Sequence, residues 1–486
     1  MRWLRALRSD DAGKEASAEL ELALERPDHH TRALVAAADA PETPEHVRAA
    51  TAMEAWPARR WLALDAARLD AWTWYADAIA PRGGWSVAFG RAHVPTLLVV
   101  LASTHRDGFL RERAAAMLGE RADPLASAGV AVRAVDHVPQ VREVARRALE
   151  ARRDARDATV IVPILLAAKE REAAAGAFDA YVDGLSEEVL RSLAVSADRE
   201  TRRFAVERAP FTPPELVEIA SSDRDVRVRL AAARKALAQD EAVANDLLGA
   251  RPATVRARAV SVAADELVRP SLDELLLDRS AHLRRAAQSR AARLGVDTAA
   301  VYRSRLPRRT AVAGLGETGS EGDVDRVVAL LDADQPAPVR RAAVRALGRL
   351  ASRDLLLSLL PPLLEGDQPS VAREAGRQLG RFGFTLAGEP LARTLDSPHV
   401  WTRQAALGIA LRRRGWDTPV AALALFDDED ESLREHARVA LGDWLTRKAP
   451  SAGAPSPEQA ERLRASLARL ALAPDLERLV RFHAGL

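Results

Sequence analysis

One phrase returns along this 486-residue chain: an acidic residue, a short polar or proline-containing gap, then valine or leucine, arginine and an alanine-rich run. Asp and Arg stand six apart in six copies, at Asp107 and Arg113, Asp136 and Arg142, Asp278 and Arg284, Asp334 and Arg340, Asp367 and Arg373, and Asp428 and Arg434. Looser copies centre on Arg202, Arg227, Arg256 and Arg403, and degenerate ones on Arg171 and Arg309, so neighbouring arginines of the series lie 25 to 33 residues apart. That period holds one helical hairpin. Such units must stack, because no single hairpin can bury its apolar stripe alone.

The clearest copy spans residues 323–350. Val327, Val328, Leu330 and Leu331 form the stripe of a first helix, and a turn follows over Asp332 to Pro338. In the second helix Val339, Ala342, Ala343, Ala346, Leu347 and Leu350 recur at three- and four-residue steps. The turn Asp is placed to cap the second helix, and the arginine one turn in is placed to reach the Asp of an adjacent repeat through a bidentate pair. Gly348, Gly380 and Gly442 are expected where the second helix ends.

On these features residues 105–447 resemble HEAT repeats of the short kind also found in phycobilisome-lyase-like proteins. Within them residues 198–233 resemble the leucine-rich-variant repeat, which implies alternating α-helix and 3₁₀ segments. The resemblance implies an all-α solenoid and no particular activity; the cluster of the original leucine-rich-variant proteins needs cysteines, and this chain has none.

Alanine, leucine, valine and arginine dominate and aromatics are only 4%, which favours helix over strand. Lys14, Lys169, Lys235 and Lys448 are the only lysines among 71 basic residues, so the pI of 9.2 reflects the high pKa of arginine while the net charge is only +2. Without cysteine, disulfides, iron–sulfur clusters and thiolate zinc sites are excluded. The first residues lack the apolar stretch of a signal peptide and no apolar run is long enough to span a bilayer, so a cytoplasmic protein with no membrane partner is expected. Residues 1–95 hold six of the nine tryptophans (Trp3, Trp56, Trp61, Trp72, Trp74, Trp85) and read as a cap or degenerate repeats. Residues 96–447 read as the repeat array, 448–456 as a linker, and 457–486 as C-terminal capping helices.

Catalytic and cofactor signals are thin. Gly314 to Gly319 read GLGETG, matching the dinucleotide fingerprint, but the segment before them occupies a second-helix slot where that motif needs a strand. No His-Glu dipeptide occurs, so the metal pairs of the HEAT-type hydroxylases have no counterpart, and neither a GxSxG elbow nor a Walker A loop is present. No cofactor, metal or catalytic residue is assigned.

Residues 279–309 carry nine arginines against the single acid Asp297. Arg284, Arg285, Arg290, Arg305, Arg308 and Arg309 are the candidate residues for an anion or nucleic acid. Trp61, Trp72 and Trp74 are the candidates for a protein partner. Trp61 lies one turn from Asp65, an aromatic beside a carboxylate, as in glycosylases built from HEAT-like repeats. The acidic run Asp427–Glu431 is expected to favour the N-terminus of the following helix. Function is expected to be that of a non-enzymatic scaffold binding a protein, with nucleic-acid binding through an arginine-rich concave groove as the alternative.

Overall fold

Second helices touch second helices. The computed structural model describes residues 10–26, 31–66, 89–90, 92–171, 174, 176–366, 368–382, 389–412 and 415–486, and among them every regular element is α-helix or 3₁₀-helix. The chain divides into two units, residues 1–259 and 260–486, with the division inside the helix Ala253–Val262.

In the first unit Gly108–Gly119 packs on Pro139–Glu150, and Arg199–Arg208 packs on Val226–Gln239. First helices also stack, Pro124–Arg133 lying against both Thr96–Ala102 and Ala155–Ala167. One continuous apolar cluster runs from Leu20 to Ala259 and includes Trp56, Trp61 and Leu64, so the described helices before residue 96 share the core of the repeats.

In the second unit Arg309–Thr318, Ala337–Leu350, Pro369–Arg381 and Val400–Leu411 pack in chain order, each on the next. Of the stripe in the clearest copy, Val327, Leu330, Val339, Ala342, Ala343, Ala346 and Leu347 are buried, while Val328, Leu331 and Leu350 are half-buried. The C-terminal helix Pro457–Arg469 covers Asp417–Ala424. The connection before it is held in place: the Trp416 indole donates to the Gly453 carbonyl at 2.5 Å, and Gln459 donates to Asp417 at 2.7 Å.

Two expectations about local structure need correction. Residues 198–233 contain three α-helices, Arg199–Arg208, Pro213–Ser222 and part of Val226–Gln239, and no 3₁₀ segment; the 3₁₀ turn lies just before them at Leu193–Val195. Gly348 and Gly380 lie in the last turn of their helices, as expected, but Gly442 lies inside Glu431–Arg447. A Cβ at Gly348 would come within 2.3 Å of Gln378 and one at Gly380 within 2.7 Å of Arg412, so the first two permit a neighbouring side chain to cross the helix backbone. Gly314 and Gly316 of GLGETG have the same role. Both are buried in Arg309–Thr318, where Cβ atoms would meet the Tyr302 ring at 2.2 Å and the Ala346 backbone at 2.6 Å.

Candidate functional site

The recurring arginine is a structural rivet with two sets of partners. Arg111 donates Nη1 to the carbonyls of His105 and Arg106, both at 2.8 Å, and its Nε and Nη2 to the two oxygens of Asp136 at 2.8 and 3.0 Å. Arg202 repeats this with Ser196, Ala197 and Asp223; Arg403 does so with Ser397, Pro398 and Asp428. Arg284 binds the carbonyls of Asp278 and Arg279 and takes Glu317 as its acid. Each guanidinium thus ties the turn five and six residues behind it to the next repeat.

The acid it meets is itself held by its own turn. Asp136, Asp223 and Asp428 accept from the N–H two residues on, at 2.9, 2.7 and 2.9 Å. The helix cap falls to that later residue: Asp225 accepts from Arg227 and Val228, Asp430 from Leu433. Two positions share the work expected of one Asp.

The register differs in two copies. The rivet is Arg111 rather than Arg113, because Asp107 caps its helix and His105 stands where other turns have Asp, its Nδ1 accepting the Asp107 N–H at 2.9 Å. Burial lowers the His105 pKa to about 4, which keeps that acceptor neutral. Likewise Arg229, not Arg227, donates to the Asp223 carbonyl. Arg340 donates from Nε to Leu331, Arg171 turns to Asp65, and Asp367 lies outside the described residues.

A second device ties off helix ends and has no clear sequence signal. Lys235 donates to the carbonyls of Val206, Glu207 and Ala209, and Arg152 to those of Leu118, Gly119 and Arg121. Arg290 serves Val260 and Ala263 in the same way and also pairs with Asp265. Each cation meets the unsatisfied carbonyls and the negative dipole end of an earlier second helix.

These contacts remove several candidate site residues from the surface. Arg284 and Arg290 are 5% and 4% exposed and committed to the structure, so neither lines a groove. Arg303 is bound to Asp323. Arg285, Arg305, Arg308 and Arg309 are exposed, and Arg305 lies 3.9 Å from Asp273. Trp61 is 3% exposed and packs edge-on against Trp56 at 5.4 Å, which makes it core rather than a partner contact. Asp65 beside it is buried between Arg133 and Arg171, an ion-paired carboxylate. Trp72 and Trp74 lie outside the described residues. In the acidic run, Asp427 accepts from Arg469, Asp428 and Glu429 from Arg403, and Asp430 caps Glu431–Arg447.

A more convergent group stands elsewhere. A cavity of about 440 Å³ in the second unit is lined by Arg345, Arg349, Glu374, Arg377, Gln378, Arg381 and Arg412. Arg345 and Arg349 are one turn apart on Ala337–Leu350, and Glu374, Arg377, Gln378 and Arg381 share a face of Pro369–Arg381. Glu374 is 1% exposed and saturated: Arg345 donates from Nε and Nη2 at 3.3 and 2.7 Å, Gln378 at 2.9 Å, and Arg377 also donates. Burial alone would raise its pKa, but these partners hold it below the usual range. The first unit has an analogous depression of about 360 Å³ on its second helices, with Arg203, Arg227, Arg234 and Arg258 around Glu207. There Arg234 is paired with Glu207, and Arg203 and Arg227 lie 3.3 and 3.6 Å from Glu200.

Among the described residues no group of three or more His, Cys, Asp or Glu is placed to hold a metal ion. No described helix is long and apolar enough to cross a membrane. No family model and no curated protein matches this chain.

Proposed function

We propose that the chain is a HEAT-like repeat scaffold without catalytic chemistry of its own, which binds a partner protein through the exposed faces of its second helices and reads an acidic segment of that partner. The observation that carries this reading is the arginine-lined depression in each unit, where guanidinium groups from successive second helices outnumber carboxylates. Recurrence of the hairpin repeats the basic face, and planar guanidinium forks match carboxylates in pairs. An affinity capture treated with nuclease tests it. The account expects a protein to stay bound after nuclease and to be lost when Arg234→Glu and Arg381→Glu are combined; retention by that variant contradicts it.

A second reading, nucleic-acid binding, is supported by Arg285, Arg308 and Arg309, which are exposed and have no ion-pair partner among the described residues. It requires affinity for duplex DNA that falls steeply with salt. Flat or absent binding at low salt removes it.

A further inference from the structure

The cavity of the second unit is built differently from the rest of the basic surface. Five arginines and one glutamate line it, leaving four positive charges that the lining itself does not compensate. Glu374 uses both of its oxygens to hold Arg345 and Arg377, so it sets their position and offers no free acceptor. Arg349 approaches only Glu317, at 3.8 Å, and that carboxylate is already engaged by Arg284 and Gln288. Arg381 lies over the Phe382 ring at 5.5 Å and has no ion-pair partner among the described residues.

Glycine brings these groups together. Gly348 makes room for the Gln378 side chain and Gly380 for the Arg412 side chain, so each crosses the backbone of the preceding second helix and borders the cavity. Gln378 is 4% exposed, its amide nitrogen is spent on Glu374, and its Oε1 has no hydrogen-bond partner. That oxygen is closed off against Gly348, so it fixes the side chain in place and is not offered to the cavity.

We propose that this cavity binds a compact ligand with two adjacent phosphate groups, of which pyrophosphate is the simplest form. Two phosphates bring roughly three to four negative charges near neutral pH in one small body, comparable to the excess of arginines over glutamate in the lining. No aromatic or aliphatic side chain lines the cavity, so nothing there would hold an acyl chain, and recognition rests on charge and guanidinium geometry. The arginines of this cavity also serve the acidic-partner reading, so a small phosphate compound and a carboxylate-rich segment are alternative occupants of it, which the comparators below separate.

Titration calorimetry of the full chain with pyrophosphate tests the assignment, with sulfate, citrate and a polyglutamate peptide as comparators at matched ionic strength. The account predicts saturable binding of one pyrophosphate, tighter than sulfate or citrate by roughly ten-fold or more. The Arg381→Gln/Arg412→Gln variant should lose roughly ten-fold or more in affinity, as should Arg349→Gln alone, which breaks no short ion pair. Arg308→Gln/Arg309→Gln, outside the cavity, should bind as the parent does, and unchanged circular dichroism shows that each variant is folded. Absence of saturable binding, equal affinity for citrate, or equal affinity in all variants overturns the proposal. Binding of polyglutamate but not pyrophosphate overturns it while leaving the acidic-partner reading intact.

Discussion

Asp136→Ala is expected to lower the stability of the first unit by about 3–5 kcal/mol, the cost of breaking a buried ion pair from one side. Asp136 accepts from Arg111 and from Arg133, whose side chains are 1% and 0% exposed. Removing it leaves two guanidinium groups in the core with a single nearby carboxylate, Asp65, which already serves Arg133 and Arg171. Burial opposes the ionised form of Asp136, but the Arg111 hydrogen bonds and the Arg133 charge win, so its pKa lies below the ordinary carboxylate value. A depressed folded pKa gives stability that is present above the unfolded value near 4 and is lost as pH falls through the folded one. Urea unfolding should therefore show the advantage of the parent over Asp136→Ala constant from neutral pH to about pH 5 and shrinking only below about pH 4.

Gly316→Val should cost at least about 2 kcal/mol, because the first added carbon lies 2.6 Å from the Ala346 Cα and the contact is with backbone, which cannot rotate away. Helix propensity alone points the other way, since glycine is the worse helix former by about 1 kcal/mol against alanine. Steric contact decides the sign. Gly442→Ala, in the interior of Glu431–Arg447 with nothing within 4 Å, isolates the propensity term and should raise stability by up to about 1 kcal/mol. Thermal unfolding of the two variants side by side checks both, and a stabilised Gly316→Val would refute the close-crossing account.

The fold was legible because period and amphipathicity are properties of the chain itself. A phrase returning every 25 to 33 residues dictates stacked hairpins, and the stripe through Val327, Val339, Ala343 and Leu347 is buried as its spacing requires. The six-residue interval has a physical basis in the bond from Arg142, Arg284 and Arg434 to the carbonyl six residues behind, whereas the bidentate pair to the next repeat's Asp forms at Arg202 and Arg403, which stand outside the six Asp–Arg pairs. Its register was less so, because His105, Ser196 and Ser397 each offer a side-chain acceptor to the N–H two residues on, and a search for Asp passes over them.

The candidate site was harder to read. Local charge density in residues 279–309 does not distinguish Arg284, committed to Glu317, from Arg285, which is exposed. Arginines that converge come instead from three successive second helices, separated by about one repeat, so Arg349, Arg381 and Arg412 form no run in sequence. Tryptophan richness misled in the same way: Trp61 is apolar mass for the first unit's core, and composition does not record which way a ring faces.

The most direct test of the rivet that joins one hairpin to the next is a double-mutant cycle at Arg202 and Asp223, using Arg202→Met, Asp223→Ala and the pair, with stability read by urea unfolding. The account predicts a coupling of about 1.5–3 kcal/mol, as for a charge-assisted bidentate pair largely withdrawn from water. Additivity of the two single changes to within about 0.3–0.5 kcal/mol would contradict it.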